Sequence, residues 1–348
     1  MSKKIPTIKD VAAHAGVGMM TVSRVCNPKT NGTVSDAMRQ RVLQAINDLG
    51  YQPDVLARSL RQRRVDTIGF YNGYRDIFSL TDAFARALFI GLQDASTELK
   101  QDLLIFHPSK TPQSPADIVR ELNTSKVDGV IFLPGDEDVI LSQLLKASHQ
   151  NIVTIGEVLP GLPAITSQDE IGSRMIAEHL HERGHRHVLY RHRRDPLPSA
   201  IRRYHGFCAT AKELALQVTT TQTTLLNDEV DAKEQDLIRN AHRLGVTAIV
   251  GWHDFSAMAA LLFCRHIGFN IPSDIAIAGF DALPLSACPS DVSLTTIDAD
   301  WSGIARRAVA FVAQGQSAAL SDTRDTVIDH DGQEEIRVAG RLRIGNTA

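Results

Sequence analysis

The sequence predicts an α/β core of two similar lobes, in which parallel sheets are flanked by helices, behind a small N-terminal all-α domain. From about residue 66, short apolar runs alternate with amphipathic helical segments, which is typical of parallel sheets covered on both faces. The alternation restarts near residue 169, which indicates a second lobe of the same kind. Before residue 50 the apolar residues follow the helical period.

The stretch Thr7–Val25 predicts two short helices joined by a tight turn. Thr7 can cap the first helix through its hydroxyl, and Gly16 can end it because glycine readily takes the left-handed conformation. We expect the second helix from about Met19 to Cys26. On that helix two valines turn inward, and a methionine and an arginine four residues apart share the outward face: Val22 and Val25, Met20 and Arg24. This arrangement is a helix-turn-helix, whose second helix can enter a DNA major groove.

Charge is divided unevenly along the chain. Residues 1–64 contain eleven Lys or Arg and four Asp or Glu, a net charge of +7, so the remainder carries −10 of the total of −3. A basic head on an acidic body is the pattern expected when only the head contacts phosphates.

The residues after the helix-turn-helix strengthen this interpretation. Ser35 begins a third helix, and the stretch Gly50–Arg61 follows it. With these residues the chain resembles the LacI/GalR family of bacterial transcription regulators. The matching motifs are TIKDVA from Thr7, TVSRV from Thr21, the pair GY with Pro53, and ARSL from Ala57. The resemblance covers nearly the whole chain and implies that the core lobes have the periplasmic-binding-protein-like fold.

The resemblance also implies a domain organisation. It predicts a helix-turn-helix DNA-binding headpiece at 1–50, a hinge helix and linker at 51–65, and an effector-binding and dimerisation core at 66–345. The N-lobe would comprise about 66–160 and 292–323, and the C-lobe about 163–290 and 325–345. The chain would then cross between the lobes near Leu159–Ala164, Pro289–Leu294 and Ser321–Val327.

Predicted DNA contacts follow from the matching positions. They are Thr7, Met19, Met20, Thr21, Ser23, Arg24, Asn27, Tyr51, Ala57 and Leu60. An exposed arginine can bond a guanine edge bidentately, and a methionine can contact thymine methyl groups. The resemblance places Leu60 in the minor groove as an apolar wedge. Gly18 stands where the family usually has serine, and Asp54 replaces the usual hinge asparagine.

Predicted effector contacts lie where the strands of the core end, which is where open α/β sheets bind ligands. They are Phe84, Glu157, Ser199, Arg203, His253, Asp254 and Asp281. By resemblance, Arg203 matches the family's pocket arginine and Asp281 the aspartate of its GFD motif. An arginine beside carboxylates suits a polyhydroxylated ligand such as a sugar, with Phe84 stacking on its apolar face. The alternative is a structural ion pair between Arg203 and Asp281.

Other classes of function are weakly supported. The run from His179 carries five histidines, but His179 and His181 are two apart on a helix and point in different directions, so we expect no metal site. The four cysteines form no CxxC pair and are expected to be reduced. No apolar run is long enough to span a membrane, and no secretion signal opens the chain.

We therefore expect a cytoplasmic homodimeric transcription factor, most simply a repressor, which binds a pseudo-palindromic operator and a small effector and needs no cofactor. The alternatives are a cytoplasmic sugar-binding protein and an enzyme that uses the cleft, although motifs such as GxSxG and HExxH are lacking. The sequence leaves open the effector's identity and whether it releases the protein from DNA or retains it there.

Overall fold

The computed structural model describes residues 6–26, 33–52, 64–73, 83–106, 114–135, 139–146, 151–194, 197–223, 229–285, 288–319, 323–330 and 332–348. The chain forms two compact units, Met1–Val65 and Asp66–Ala348. This division coincides with the end of the predicted linker. Within the described residues, no helix combines the length and the apolar character that crossing a membrane requires.

The described helices of the first unit are α1 (Ile8–Ala15), α2 (Met19–Cys26) and α3 (Asp36–Leu49). In the second unit the described elements are, in chain order, β1 (Thr67–Asn72), α4 (Ala83–Glu98), β2 (Asp102–Phe106), α5 (Pro115–Leu122), β3 (Gly129–Leu133), α6 (Val139–Lys146), β4 (Asn151–Ile155), β5 (Ala164–Ser167), α7 (Asp169–Glu182), β6 (His187–Arg193), α8 (Pro198–Glu213), β7 (Gln217–Thr223), α9 (Ala232–Arg239), α10 (Ala241–Leu244), β8 (Ala248–Gly251), α11 (Asp254–His266), β9 (Ala276–Phe280), β10 (Thr295–Asp298), α12 (Trp301–Gln314), α13 (Gln316–Ala319), β11 (Thr326–His330), β12 (Gln333–Val338) and β13 (Arg341–Arg343).

The headpiece packs its helices around one small apolar cluster. Val11, Val22 and Val42 contribute one fully buried side chain from each helix. Burying a valine contributes about 1.5–3 kcal/mol, so these side chains hold together helices that are marginal alone. Gly16 ends α1 at a φ of 64°, as the sequence predicts. At the other end of α1, the Asp10 carboxylate accepts hydrogen bonds from both the backbone N–H and the hydroxyl of Thr7.

The core contains two sheets. Among the described strands, the order in the first sheet is β11-β12-β5-β4-β3-β1-β2, and in the second it is β13-β10-β9-β8-β6-β7. Strands β1 to β5 pair in parallel, and so do β6 to β10. Strands β3 and β9 are buried along their whole length, because helices cover both faces of each sheet. The predicted pair of similar α/β lobes is therefore confirmed.

The chain crosses between the lobes later than the sequence predicted at each of the three places. The sequence places β5 and the pair β11–β12 in the C-lobe, but they belong to the first sheet. It places β10 in the N-lobe, but this strand belongs to the second sheet. The N-lobe is therefore 66–167 and 301–338, and the C-lobe 169–298 and 341–348. The predicted core also ended too early, because Thr347 is buried and its hydroxyl donates to the Ile277 carbonyl.

The crossover strands are placed by backbone hydrogen bonding to the edge of a sheet. Each of these strands is six residues or shorter, and its backbone N–H and C=O groups need partners in a sheet. Strand β5 finds them on β4, and β12 finds them on β5. The local sequence of such a short strand does not specify which of the two sheets it will join.

Candidate functional site

The outward face of α2 is the first candidate site. Met19 and Met20 are exposed, Met20 by 72%, and Arg24 is exposed on the same helix. Val22 and Val25 are buried against the other headpiece helices. This confirms the predicted division of α2 into a packing face and an outward face. Large apolar side chains that are not part of the core are available for contact with a partner.

The other predicted headpiece contacts occupy varied environments. Thr7 is exposed, and Thr21 and Ser23 are half-buried. The ring of Tyr51 is buried in the headpiece cluster, so this residue supports the fold of the headpiece, and its predicted DNA contact stays a prediction. Three predicted contacts lie outside the described residues: Asn27, Ala57 and Leu60.

Arg203 is the centre of the second candidate site, at the border between the lobes. Helix α8 carries this side chain, which is almost fully buried. Its Nε donates to Asp169 Oδ1 over 2.9 Å, its Nη2 donates to Asp281 Oδ1 over 2.9 Å, and its Nη1 donates to the Trp252 carbonyl over 3.1 Å. The guanidinium lies 3.9 Å from the ring centroid of Phe280. The structure therefore contains the Arg203–Asp281 ion pair, which the sequence offers as the alternative to a ligand contact.

Asp281 connects this arginine to the N-lobe. It follows β9 with a φ of 107°, a conformation that costs a non-glycine residue about 1–3 kcal/mol and often marks a functional position. Trp301, the first residue of α12, donates from Nε1 to Asp281 Oδ1 over 3.2 Å. The rings of Trp301 and Phe84 meet edge to face with centroids 4.7 Å apart. Phe84 therefore joins the site through Trp301.

Glu157 and Ser199 make a second contact between the lobes. Glu157 follows β4 in the N-lobe, and Ser199 lies in the first turn of α8 in the C-lobe. The Ser199 hydroxyl donates to Glu157 Oε1, and the Ser199 backbone N–H donates to Glu157 Oε2 over 3.0 Å. Backbone N–H groups at a helix N-terminus favour an anion. Burial nevertheless raises the pKa of Glu157 to about 7, although nearby Arg202 and the bonds from Ser199 oppose that rise.

Charge and burial compete throughout this site. Burial also raises the pKa of Asp281 above its ordinary value, against the opposing effect of Arg203 and His253. Burial alone would lower the pKa of Arg203, but Asp281 and Asp169 hold it above its ordinary value, so the arginine stays charged. The site thus holds a permanent cation between two carboxylates.

Comparison with known proteins identifies the chain. Residues 7–54 match the family described as bacterial regulatory proteins, lacI family, and residues 177–328 match a periplasmic binding protein-like domain. The ribose operon repressor of Halalkalibacterium halodurans is 29% identical over 296 residues, which are 84% of this chain and 85% of that protein. The chain belongs to the LacI/GalR family of transcriptional regulators. It is accordingly a regulator and not an enzyme.

Two solved structures have the same fold. The lac repressor dimer bound to operator and an anti-inducer superposes with a TM-score of 0.73 at 20% identity, covering 99% of each chain. The complex of the regulator CelR with cellobiose superposes with a TM-score of 0.67 at 22% identity, covering 99% of this chain and 100% of that one.

His253 and Asp254, two predicted effector contacts of this LacI/GalR protein, are engaged with protein groups. His253 precedes α11 and accepts at Nδ1 from the Ser256 backbone N–H, while its ring stacks on Trp252 with centroids 3.7 Å apart. Asp254 is buried, where it accepts from the Leu283 backbone N–H and from a threonine hydroxyl. Burial, together with the nearby charge of Asp281, raises the pKa of Asp254 to about 8. Asp254 therefore holds the loop that carries Asp281.

Sequence reasoning missed three members of the site. They are Asp169, Trp252 and Trp301. The chain contains only two tryptophans, so their presence next to predicted contacts was a usable signal. No comparable signal existed for Asp169, because its role depends on α7 and α8 packing side by side.

The histidine run makes contacts within the protein. His185 Nδ1 lies 2.8 Å from the Thr247 hydroxyl, and His187 Nδ1 lies 2.9 Å from the Leu244 carbonyl. Across the described part of the chain, no group of three or more His, Cys, Asp or Glu side chains is arranged to hold a metal ion.

Proposed function

We propose that this regulator is a homodimeric repressor whose effector, a sugar or sugar derivative, binds between the two core lobes at Arg203 and Asp281. It acts in the cytoplasm on a pseudo-palindromic operator. The observation that carries the proposal is the contact of one carboxylate, Asp281, with both the C-lobe arginine and the N-lobe Trp301. A ligand that competes for this carboxylate changes how the lobes are held together.

The chemistry of the site favours a polyhydroxylated ligand. Arginine and carboxylate side chains offer donors and acceptors for several hydroxyl groups, and the rings of Trp301 and Trp252 offer apolar faces for a pyranose or furanose. Among proteins of the same fold, the regulator CelR forms a complex with cellobiose. A relative of 29% identity is the repressor of a ribose operon.

On the DNA side, two headpieces read the two halves of the operator because one small headpiece offers few contacts. Met20 and Arg24 would contact bases in the major groove. In the predicted hinge, Leu60 would enter the minor groove and kink the duplex. Leu60→Ala should then reduce the operator affinity and the bend angle of the DNA while sugar binding persists. A bend angle equal to that of wild type in a gel-shift bend assay contradicts this part of the proposal.

The effector is sought with the full-length protein. Because both tryptophans of the chain lie at the site, intrinsic fluorescence reports binding there directly. D-ribose, D-galactose, cellobiose, lactose and D-gluconate are titrated while fluorescence and melting temperature are recorded. A ligand at 100 times its Kd stabilises the native state by about 2.7 kcal/mol.

The decisive comparison is between wild type and Arg203→Met. We expect a saturable fluorescence change and an altered operator affinity with at least one sugar, and we expect both to be lost in Arg203→Met. A sugar that binds both proteins with equal Kd places the effector elsewhere.

A further inference from the structure

Asp169 is a fully buried carboxylate whose two oxygens are both occupied by cations. Its Oδ1 accepts from Arg203 Nε over 2.9 Å, and its Oδ2 accepts from Arg202 Nε and Nη2 over 2.9 and 2.7 Å. Burial alone would raise the pKa of Asp169, but Arg203 and Arg202 hold that pKa below its ordinary value. The carboxylate is therefore charged under ordinary conditions.

The position of Asp169 along the chain connects it to the movement of the lobes. It begins α7, two residues after Ser167 ends β5, so it stands at the first crossover from the N-lobe to the C-lobe. The Ser167 hydroxyl donates to Asp169 Oδ1 over 2.6 Å. The same oxygen thus bonds the last residue of the N-lobe strand and the central arginine of the site.

We propose that Asp169 is a positioning residue, which orients Arg203 toward the effector and ties that arginine to the crossover between the lobes. The inference rests on the effector site proposed above. Asp169 fixes the Nε edge of the guanidinium, so that the Nη edge points to Asp281. A change of the backbone angles at Ser167 then moves Arg203. Conversely, a ligand that shifts Arg203 changes the backbone at this crossover.

The C-lobe contains a second buried ion pair, Arg191–Glu234, which serves as a control for a purely structural role of Asp169. Arg191 is fully buried and donates to Glu234 from Nε over 2.6 Å and from Nη2 over 2.9 Å. Glu234 lies on α9 and also accepts from the Thr221 hydroxyl on β7, and Arg191 donates to the Ser256 carbonyl on α11, so these contacts lie within the C-lobe. Glu234→Gln therefore removes a buried charge of the same kind without touching the crossover or the interlobe site.

The test compares Asp169→Asn with Glu234→Gln in the full-length protein. Melting temperature and tryptophan-fluorescence titrations are measured with D-ribose, D-galactose, cellobiose, lactose and D-gluconate. We expect both variants to melt at lower temperature, whereas only Asp169→Asn weakens sugar binding, by about tenfold or more. Ser167→Ala removes the hydrogen bond at the crossover with a small change in volume. It keeps the fold and weakens binding in the same direction, by about two- to fivefold.

The outcomes separate this inference from the proposed function. Equal Kd values for wild type, Asp169→Asn and Ser167→Ala, with binding lost in Arg203→Met, overturn the role of Asp169 alone. Loss of binding in Glu234→Gln as large as in Asp169→Asn also overturns it, since any buried charge would then suffice. A wild type that binds none of the five sugars overturns the proposed sugar effector, and the inference falls with it. If Asp169→Asn does not fold, an unchanged Kd in Ser167→Ala overturns the inference.

Discussion

In the headpiece, the side chains offered to a partner are exposed, as Met20 is by 72%, whereas in the core the central arginine of the site, Arg203, is only 2% exposed. The headpiece is held together by other residues, such as Val11 and Val22 on the inner faces of its helices. In the core, the residues proposed to bind the effector also pair with one another and join the lobes.

Binding and stability are therefore related in different ways in the two units. Where contact residues lie outside the core, substitution changes affinity and leaves folding intact. Where they carry buried charge, substitution removes a compensating partner and costs both stability and binding.

Replacing the buried arginines should cost the most. Arg203→Met leaves the carboxylates of Asp169 and Asp281 without their cation, and Arg191→Met leaves that of Glu234. Each should lower the unfolding free energy of the core by ~3–5 kcal/mol. Urea denaturation followed by tryptophan fluorescence measures this.

Only Arg203→Met should also abolish the response to a sugar, because Glu234 and Ser256, to which Arg191 donates, lie in the same lobe as Arg191. If both variants lose that response equally, the distinction between an interlobe cluster and an ordinary buried ion pair is wrong.

The stability of the core should depend on pH through Glu157. The folded pKa of about 7 exceeds the ordinary value of 4.5, so the folded state holds the proton more tightly. Stability from this group is fully present below pH 4.5 and is lost as pH rises through about 7. A rise of the pKa from 4.5 to about 7 corresponds to a loss of about 3–4 kcal/mol.

Glu157→Gln should therefore reduce the dependence of melting temperature on pH between 5 and 8, and the buried carboxyl of Asp254, whose pKa is about 8, should account for part of the slope that remains. Glu178→Gln, which changes a half-buried glutamate near Arg174, serves as the control and should keep the wild-type slope. An unchanged slope in Glu157→Gln would mean that Glu157 does not titrate in this range.

Arg24→Ala in the headpiece should weaken DNA binding without lowering stability, unlike the substitutions in the core. Loss of a guanine contact should weaken binding to the preferred site by about 1–3 kcal/mol and relax the preference at one base pair. The melting temperature should hardly change, because exposed substitutions stay within ~0.5 kcal/mol. Selection of binding sites from random DNA provides the measurement.

Arg39→Ala is the matched control for Arg24→Ala, since Arg39 pairs with Asp36 on α3 rather than lying on α2. Its selected consensus should equal that of wild type. The same consensus from Arg24→Ala would remove the arginine from base readout.

Trp301→Phe should have the smallest effect of the four. The ring contact with Phe84 persists, but the hydrogen bond from Nε1 to Asp281 is lost. We expect the core to lose about 1 kcal/mol of stability. Sugar affinity should shift by a few-fold in fluorescence titrations, with Trp252 as the remaining reporter. If Trp301→Phe lost as much stability and sugar affinity as Arg203→Met, Trp301 would do more than join Asp281 to the N-lobe.

Local sequence patterns were sufficient to predict the helices of the headpiece, the two-lobed α/β core and the family. The helical period, the glycines that end helices and the apolar runs are local properties. The positions of residues such as Gly16, at the end of α1, and Val22, on the buried face of α2, could therefore be predicted directly. Arg203 and Asp281 were also predicted, because each lies in a short motif shared with the family.

The sheet that each crossover strand joins, and the partners that the buried charges take, depend on tertiary packing and could not be predicted from local patterns. Strand β5 lies beside β4 because of backbone pairing, which a four-residue sequence does not specify. Asp169 reaches Arg203, 34 residues away, because α7 and α8 pack together. Trp301 reaches Asp281 because the two lobes meet there. These contacts join residues distant in the chain, and the free energy that forms them comes from burying whole helices and sheets rather than from any local pattern.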